Sequence, residues 1–66
     1  MRLTAAVTEE DGWYVARCLE VEVTSQGETF DEALANLAEA LELFFEDSSD
    51  VVVSAPPVIA PIDIAV

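Results

Sequence analysis

Thr24-Ser25-Gln26-Gly27-Glu28-Thr29-Phe30-Asp31-Glu32-Ala33-Leu34 is the stretch in which the chain changes its period. Ahead of it apolar residues alternate with polar ones. Behind it they recur every three or four residues, so residues 24–34 carry the passage from sheet to helix. Thr29 reads as an N-cap, and Glu32 three residues later completes a capping box. Asp31 places negative charge at the positive end of the helix dipole, and Gly27 supplies a turn conformation. Phe30, Ala33, Leu34, Leu37, Ala38, Leu41, Phe44 and Phe45 then form one apolar stripe about five turns long, which predicts a helix facing a core. Asp31, Glu32, Glu39, Glu42 and Glu46 fall off that stripe, and Leu43 lies among these acids as an exposed leucine.

Toward the N-terminus, Leu3, Ala5 and Val7 alternate with Thr4, Ala6 and Thr8, which is strand period. Glu9-Glu10-Asp11-Gly12 follows, and Asp-Gly between two alternating runs signals a two-residue hairpin. The second strand, Trp13 to Cys18, puts Trp13, Val15 and Arg17 on one face and Tyr14, Ala16 and Cys18 on the other. Val21-Glu22-Val23-Thr24 alternates again and predicts a third strand that stops at Ser25-Gln26-Gly27. The three strands make an antiparallel meander.

Beyond Asp47-Ser48-Ser49-Asp50 the chain becomes apolar and extended. Val51-Val52-Val53 is a short strand-like run; Pro56, Pro57 and Pro61 then forbid helix. Ile62, Ile64 and Val66 alternate with Asp63 and Ala65, predicting a last short strand. The expected class is α+β with order β-β-β-α-β, the last strand parallel to the first through a right-handed crossover. One domain fills residues 1–66: a β-β-β-α core over 1–50 and a Pro-rich apolar segment over 51–66. With Trp13 and Tyr14 on opposite sheet faces, one helix leaves apolar area uncovered; a homodimer is expected to cover it, the alternative being a monomer whose Val51 to Val66 segment folds back.

Composition narrows the function classes. Fourteen acids stand against Arg2 and Arg17 alone, for a net charge of −12. Nucleic-acid binding is not expected, because that affinity rests on cations that neutralise phosphates. An anionic membrane surface repels the chain equally, and no stretch approaches the ~20 apolar residues of a membrane span. Basic protein partners are favoured instead. There is no histidine, and Cys18 is the only cysteine, so neither an internal disulfide nor a Cys/His zinc site is expected. Cys18 has no histidine to activate it as a nucleophile and reads as a small core thiol. The clusters Glu9-Glu10-Asp11 and Asp47/Asp50 lack the spacing of a calcium loop. The expectation is a non-enzymatic, cofactor-free protein. The lone thiol and the lack of a leader pattern point to the cytoplasm.

Two segments resemble the HicB-like antitoxin family. Asp11-Gly12-Trp13-Tyr14-Val15-Ala16 looks like that family's G-x-Y-x-A second strand. Residues 24–34 look like its T-x-G-[DE]-T-x-[DE]-E-A signature, followed by Glu39-Ala40-Leu41 in the helix. The likeness spans roughly residues 3 to 47. It implies a partial ribonuclease H-like fold and an antitoxin that masks a small basic toxin, HicA-like, which cleaves messenger RNA. No DNA-binding module of its own is expected. Nuclease chemistry is not expected either, since it needs carboxylates converging on metal ions. Thr4, Ala5 and Ala6 stand where an aspartate is required, and Asp63 with Glu39 does not complete a site. The alternative is a self-associating small regulatory or ligand-binding domain with no toxin partner. The residues expected to meet a cationic partner are Glu9, Glu10 and Asp11 at the hairpin tip, Glu20 and Glu22, and Glu39, Glu42 and Leu43 on the outer helix.

Overall fold

The computed structural model describes residues 1–47, 53 and 55–65. Three antiparallel strands in the order β1-β2-β3 carry one helix, an α+β architecture. β1 (Ala5–Glu10) pairs with β2 (Trp13–Cys18) through Asp11-Gly12. Both loop residues have positive φ, 51° and 84°. That is the conformation a tight hairpin asks of its two central residues, and Asp-Gly supports it at low steric cost.

The third strand differs from the expectation. β3 is Thr24–Gly27, with Arg17 opposite Thr24 and Tyr14 opposite Gly27. Residues 19–23 form instead a connection closed by the Cys18 N–H donating to the Val23 carbonyl at 2.9 Å. Leu19 still donates to the Thr4 carbonyl at 3.0 Å, so pairing with the first segment runs one step past β2. The alternation of Val21 and Val23 is real, but it serves a loop whose two valines turn inward onto the core.

The helix α1 (Phe30–Asp47) begins as the sequence predicts. The Glu32 N–H donates to Thr29 Oγ1 at 3.0 Å. Glu32 Oε1 in return accepts from the Glu28 N–H at 3.2 Å, one residue earlier than the usual reciprocal partner. The role of Gly27 is not the turn conformation expected of it. A Cβ there would lie 2.6 Å from the Ala33 nitrogen and 2.9 Å from the Glu32 carbonyl carbon. The glycine therefore lets the first turn of α1 close directly onto β3.

The helix lies mainly over β3 and β2 and only marginally over β1. Its inner stripe meets the sheet face of Tyr14, Ala16 and Cys18. Ala16, Cys18, Ala33 and Leu37 are buried there, ringed by half-buried Leu3, Val7, Tyr14, Val21, Val23, Leu34 and Leu41. Two stripe residues depart from expectation: Phe30, in the first turn, and Ala38 are exposed. Phe44 and Phe45 are half-buried and meet edge to face with centroids 5.4 Å apart. The opposite sheet face, with Trp13, Val15 and Arg17, carries no second layer among the described residues.

The fourth strand is not among the described elements. Residues 55–65 form neither strand nor helix and are all exposed, so Ile62–Ala65 does not lie beside β1. Pro56, Pro57 and Pro61 have no N–H to donate to a ladder, and only Ile62 onward could pair continuously. Val66, Val51 and Val52, with residues 48–50 and 54, lie outside the described residues.

Candidate partner-binding surface

The hydrogen-bond pattern of α1 sets the direction of each side chain, since residues three and four apart share a face. Asp31, Glu42, Glu46, Glu39 and Glu32 fall, in that angular order, on an arc about 100° wide. All five are exposed. The helix contains no lysine or arginine, so no cation within it neutralises the arc. Leu43 lies at one margin of the arc and is 58% exposed. Asn36, on the same margin, donates to the Gln26 carbonyl at 2.9 Å and fixes that side of the helix to β3. Glu42, beside Asp31 at the other margin, borders a groove.

That groove, about 540 Å³, runs between α1 and the start of β1. Leu3, Ala5, Leu34, Leu37, Ala38, Leu41 and Phe45 line it, with Met1 and Glu42 at its edges. It exists because the helix sits over β2 and β3 and overhangs β1. Sequence periodicity placed Ala38 and Phe45 on the core stripe. It gave no sign that the stripe is wider than the sheet beneath it.

The sequence-predicted contact residues separate into distinct places. Glu9, Glu10 and Asp11 are exposed at the hairpin tip, with Glu10 Oε2 accepting from the Thr8 hydroxyl at 3.3 Å. Glu22 is exposed in the 19–23 connection, at the opposite end of β2 from that tip. Glu39, Glu42 and Leu43 belong to the helix arc, together with Asp31, Glu32 and Glu46, which are off the apolar stripe but not among the expected contacts. Their common 3.6-residue spacing was the available signal.

Glu20 does not belong to any outer surface. It is only 5% exposed. Its Oε1 accepts the Thr4 N–H at 2.8 Å and the Cys18 thiol at 3.5 Å. Oε2 is buried with no partner among the described residues. The Thr4 N–H is the main cause holding the Glu20 carboxyl below its ordinary value; desolvation opposes it, and the Cys18 thiol adds a smaller pull downward. Glu20 is thus a side-chain cap that ties the 19–23 connection to the entry of β1. Cys18, the buried partner in this contact, is a core thiol.

The Glu20 contact makes stability depend on pH in a defined sense. A carboxyl whose pKa is lowered by folding stabilises above its unfolded value, and that stabilisation fades as pH falls through the folded value. Glu20→Gln is expected to be less stable than the wild type at neutral pH, with the gap closing as pH drops below the ordinary value of 4.5. Urea unfolding at a series of pH values measures the gap. A gap that stays constant with pH would show that the charge of Glu20 plays no part.

No group of three or more His, Cys, Asp or Glu side chains among the described residues is placed to hold a metal ion. Nor is any helix of the described residues long and apolar enough to cross a membrane. The described surface carries an exposed acidic helix face with no cation on α1, flanked by a leucine on one side and an apolar groove on the other.

Neither the curated proteins nor the solved structures contain a match to the chain. A protein-family profile does match, over residues 4–55, which takes in all three strands and the helix and stops where the exposed apolar tail begins. The chain belongs to that family, which is described as a family of unknown function, DUF7387.

Proposed function

We propose that this protein is an antitoxin-like binding module that captures a small basic, RNA-cleaving protein on the acidic outer face of α1. The observation that carries the reading is the exposed arc of Asp31, Glu32, Glu39, Glu42 and Glu46 on a helix with no cation. The β-β-β-α order and the resemblance of residues 11–16 and 24–34 to the HicB-like antitoxins support it. An RNA-cutting protein must present cations to phosphates. A helix face of carboxylates competes for the same cations and draws the partner in through its long-range field. Leu43 at the margin supplies an apolar contact that water-separated charges cannot. The reading contains no catalytic step and no cofactor, and it places the pair in the cytoplasm.

Co-expression with each small protein encoded beside it, the basic ones first, is the direct test. A complex that survives purification at low salt and dissociates as ionic strength rises is expected, because exposed charges are screened over ~10 Å at 0.1 M salt. Absence of a complex at low salt would overturn the reading. Glu39→Lys/Glu42→Lys is expected to weaken capture about tenfold or more, since two exposed contacts each of ~0.2–1 kcal/mol turn repulsive. Circular dichroism should show the helix intact. An unchanged affinity would remove the helix face from the contact.

A second reading, a self-associating regulatory or ligand-binding domain without a toxin partner, draws on the apolar groove and the exposed tail. Indifference to basic proteins together with thermal stabilisation by a metabolite would favour it.

A further inference from the structure

Two apolar surfaces are without cover among the described residues. One is the groove between β1 and α1, walled by Leu3, Ala5, Leu34, Ala38, Leu41 and Phe45. The other is the tail, whose Val58 and Ile62 are 92% and 85% exposed and whose Ile59 and Ile64 are exposed as well. Exposed large aliphatic residues in this density mark an interaction surface, not ordinary scatter. Among the described residues, the groove lining includes none from the tail, and residues 55–65 are all exposed.

We infer that the protein is a reciprocal dimer in which the tail of each copy, Val58 to Ile64, lies in the β1–α1 groove of the other. The inference is independent of the cationic-partner reading.

Dimensions agree. The groove follows α1 from Leu34 to Phe45, a helical rise of ~17 Å. Val58 to Ile64 in the extended, proline-set conformation spans ~19 Å at ~3.1 Å per residue. Pro56, Pro57 and Pro61 hold the tail extended before it binds, which reduces the ordering cost of docking. Charge agrees too. In a molecule of net charge −12, two copies repel, and contact is feasible only through segments with few acids. Residues 55–65 carry Asp63 alone, and the groove carries Glu42 only at its edge. Symmetry doubles the contact, because a two-fold axis places each tail in the other copy's groove. Residues three apart share one side of a proline-type extended chain, so Ile59 and Ile62 enter the groove together.

The test uses two variants of the full chain that leave the charge unaltered. Ile59→Ser/Ile62→Ser removes the tail's apolar contacts at positions 72% and 85% exposed in the single chain, so the fold should hold. Ala38→Gln fills the groove wall from an exposed helical position. Sedimentation equilibrium is expected to show a wild-type dimer, and each variant alone should dissociate with a dissociation constant raised about a hundredfold. Mixing the two variants should restore a mixed 1:1 dimer, because that pair keeps one intact tail opposite one intact groove. A monomeric wild type, a tail variant that remains as tightly dimeric as the wild type, or a mixture that fails to re-associate would each overturn the proposal. Loss of binding to a basic partner would bear only on the helix-face reading and leaves this result unaffected.

Discussion

Leu37→Ala is expected to lower the unfolding free energy by about 2–5 kcal/mol, the usual cost of emptying a buried leucine site. Leu37 is 3% exposed and is the largest of the four buried core residues, among Ala16, Cys18 and Ala33. Its neighbours above the sheet are small and cannot expand to refill the space. The ring around them is half-buried, so the void opens toward water, and the lower part of the range assumes that water or a shifted Leu34 or Leu41 enters it. For a domain of this length, total stability is of order 3–10 kcal/mol. The substitution therefore removes a large share of it. Chemical denaturation should show a midpoint displaced to much lower urea, or a chain already unfolded in buffer. Leu43→Ala is the matched control: from a position 58% exposed on the same helix, it should shift stability by no more than about 0.5 kcal/mol. Equal losses for the two leucines would contradict the placement of the core.

Gly27→Ala is expected to cost about 1–3 kcal/mol, the range for forcing extra atoms into packed structure. The added methyl would lie 2.6 Å from the Ala33 nitrogen and 2.9 Å from the Glu32 carbonyl carbon. Both are backbone atoms, so no flexible side chain can swing away. Relief has to come from lifting the first turn of α1 off β3. That movement strains the Thr29–Glu32 cap and the Asn36 bond to Gln26 together. Gly12→Ala offers a contrast by a different mechanism: its φ is +84° and no atom lies within 4 Å of a Cβ placed there. Its cost is conformational, ~1–2 kcal/mol, and localised to the hairpin. Hydrogen exchange separates the two cases. Gly27→Ala should speed exchange in the first turns of α1, whereas Gly12→Ala should speed it only around the hairpin. The same protection loss in both would remove the steric argument for Gly27.

Elements fixed by neighbours in sequence were legible, and those fixed by distant contacts were not. Asp11-Gly12 announced the hairpin because its two residues tolerate the positive φ that the turn needs. Thr29 and Glu32 announced the helix start because the cap is made within four residues. The acid arc was implicit in helical spacing, although naming Glu39, Glu42 and Leu43 alone left out Asp31, Glu32 and Glu46. By contrast, Leu19-Glu20-Val21-Glu22-Val23 alternates like a strand yet forms the connection before one. Thr24-Ser25-Gln26-Gly27 has little strand character and becomes β3 because β2 offers it a register and α1 needs the glycine at its end. Glu20 looked like one surface acid among fourteen. Its burial follows from a backbone N–H sixteen residues away, which no local pattern encodes. The groove arises in the same way, from how far the helix overhangs β1.

Titrating the isotopically labelled chain with a small basic RNA-cleaving protein, and following the chain's amide resonances, addresses the partner-capturing helix face most directly. The largest perturbations should fall on Asp31, Glu32, Glu39, Glu42, Leu43 and Glu46 and shrink as salt is raised. Perturbations confined to the sheet face of Trp13, Val15 and Arg17, or none at any salt concentration, would contradict it.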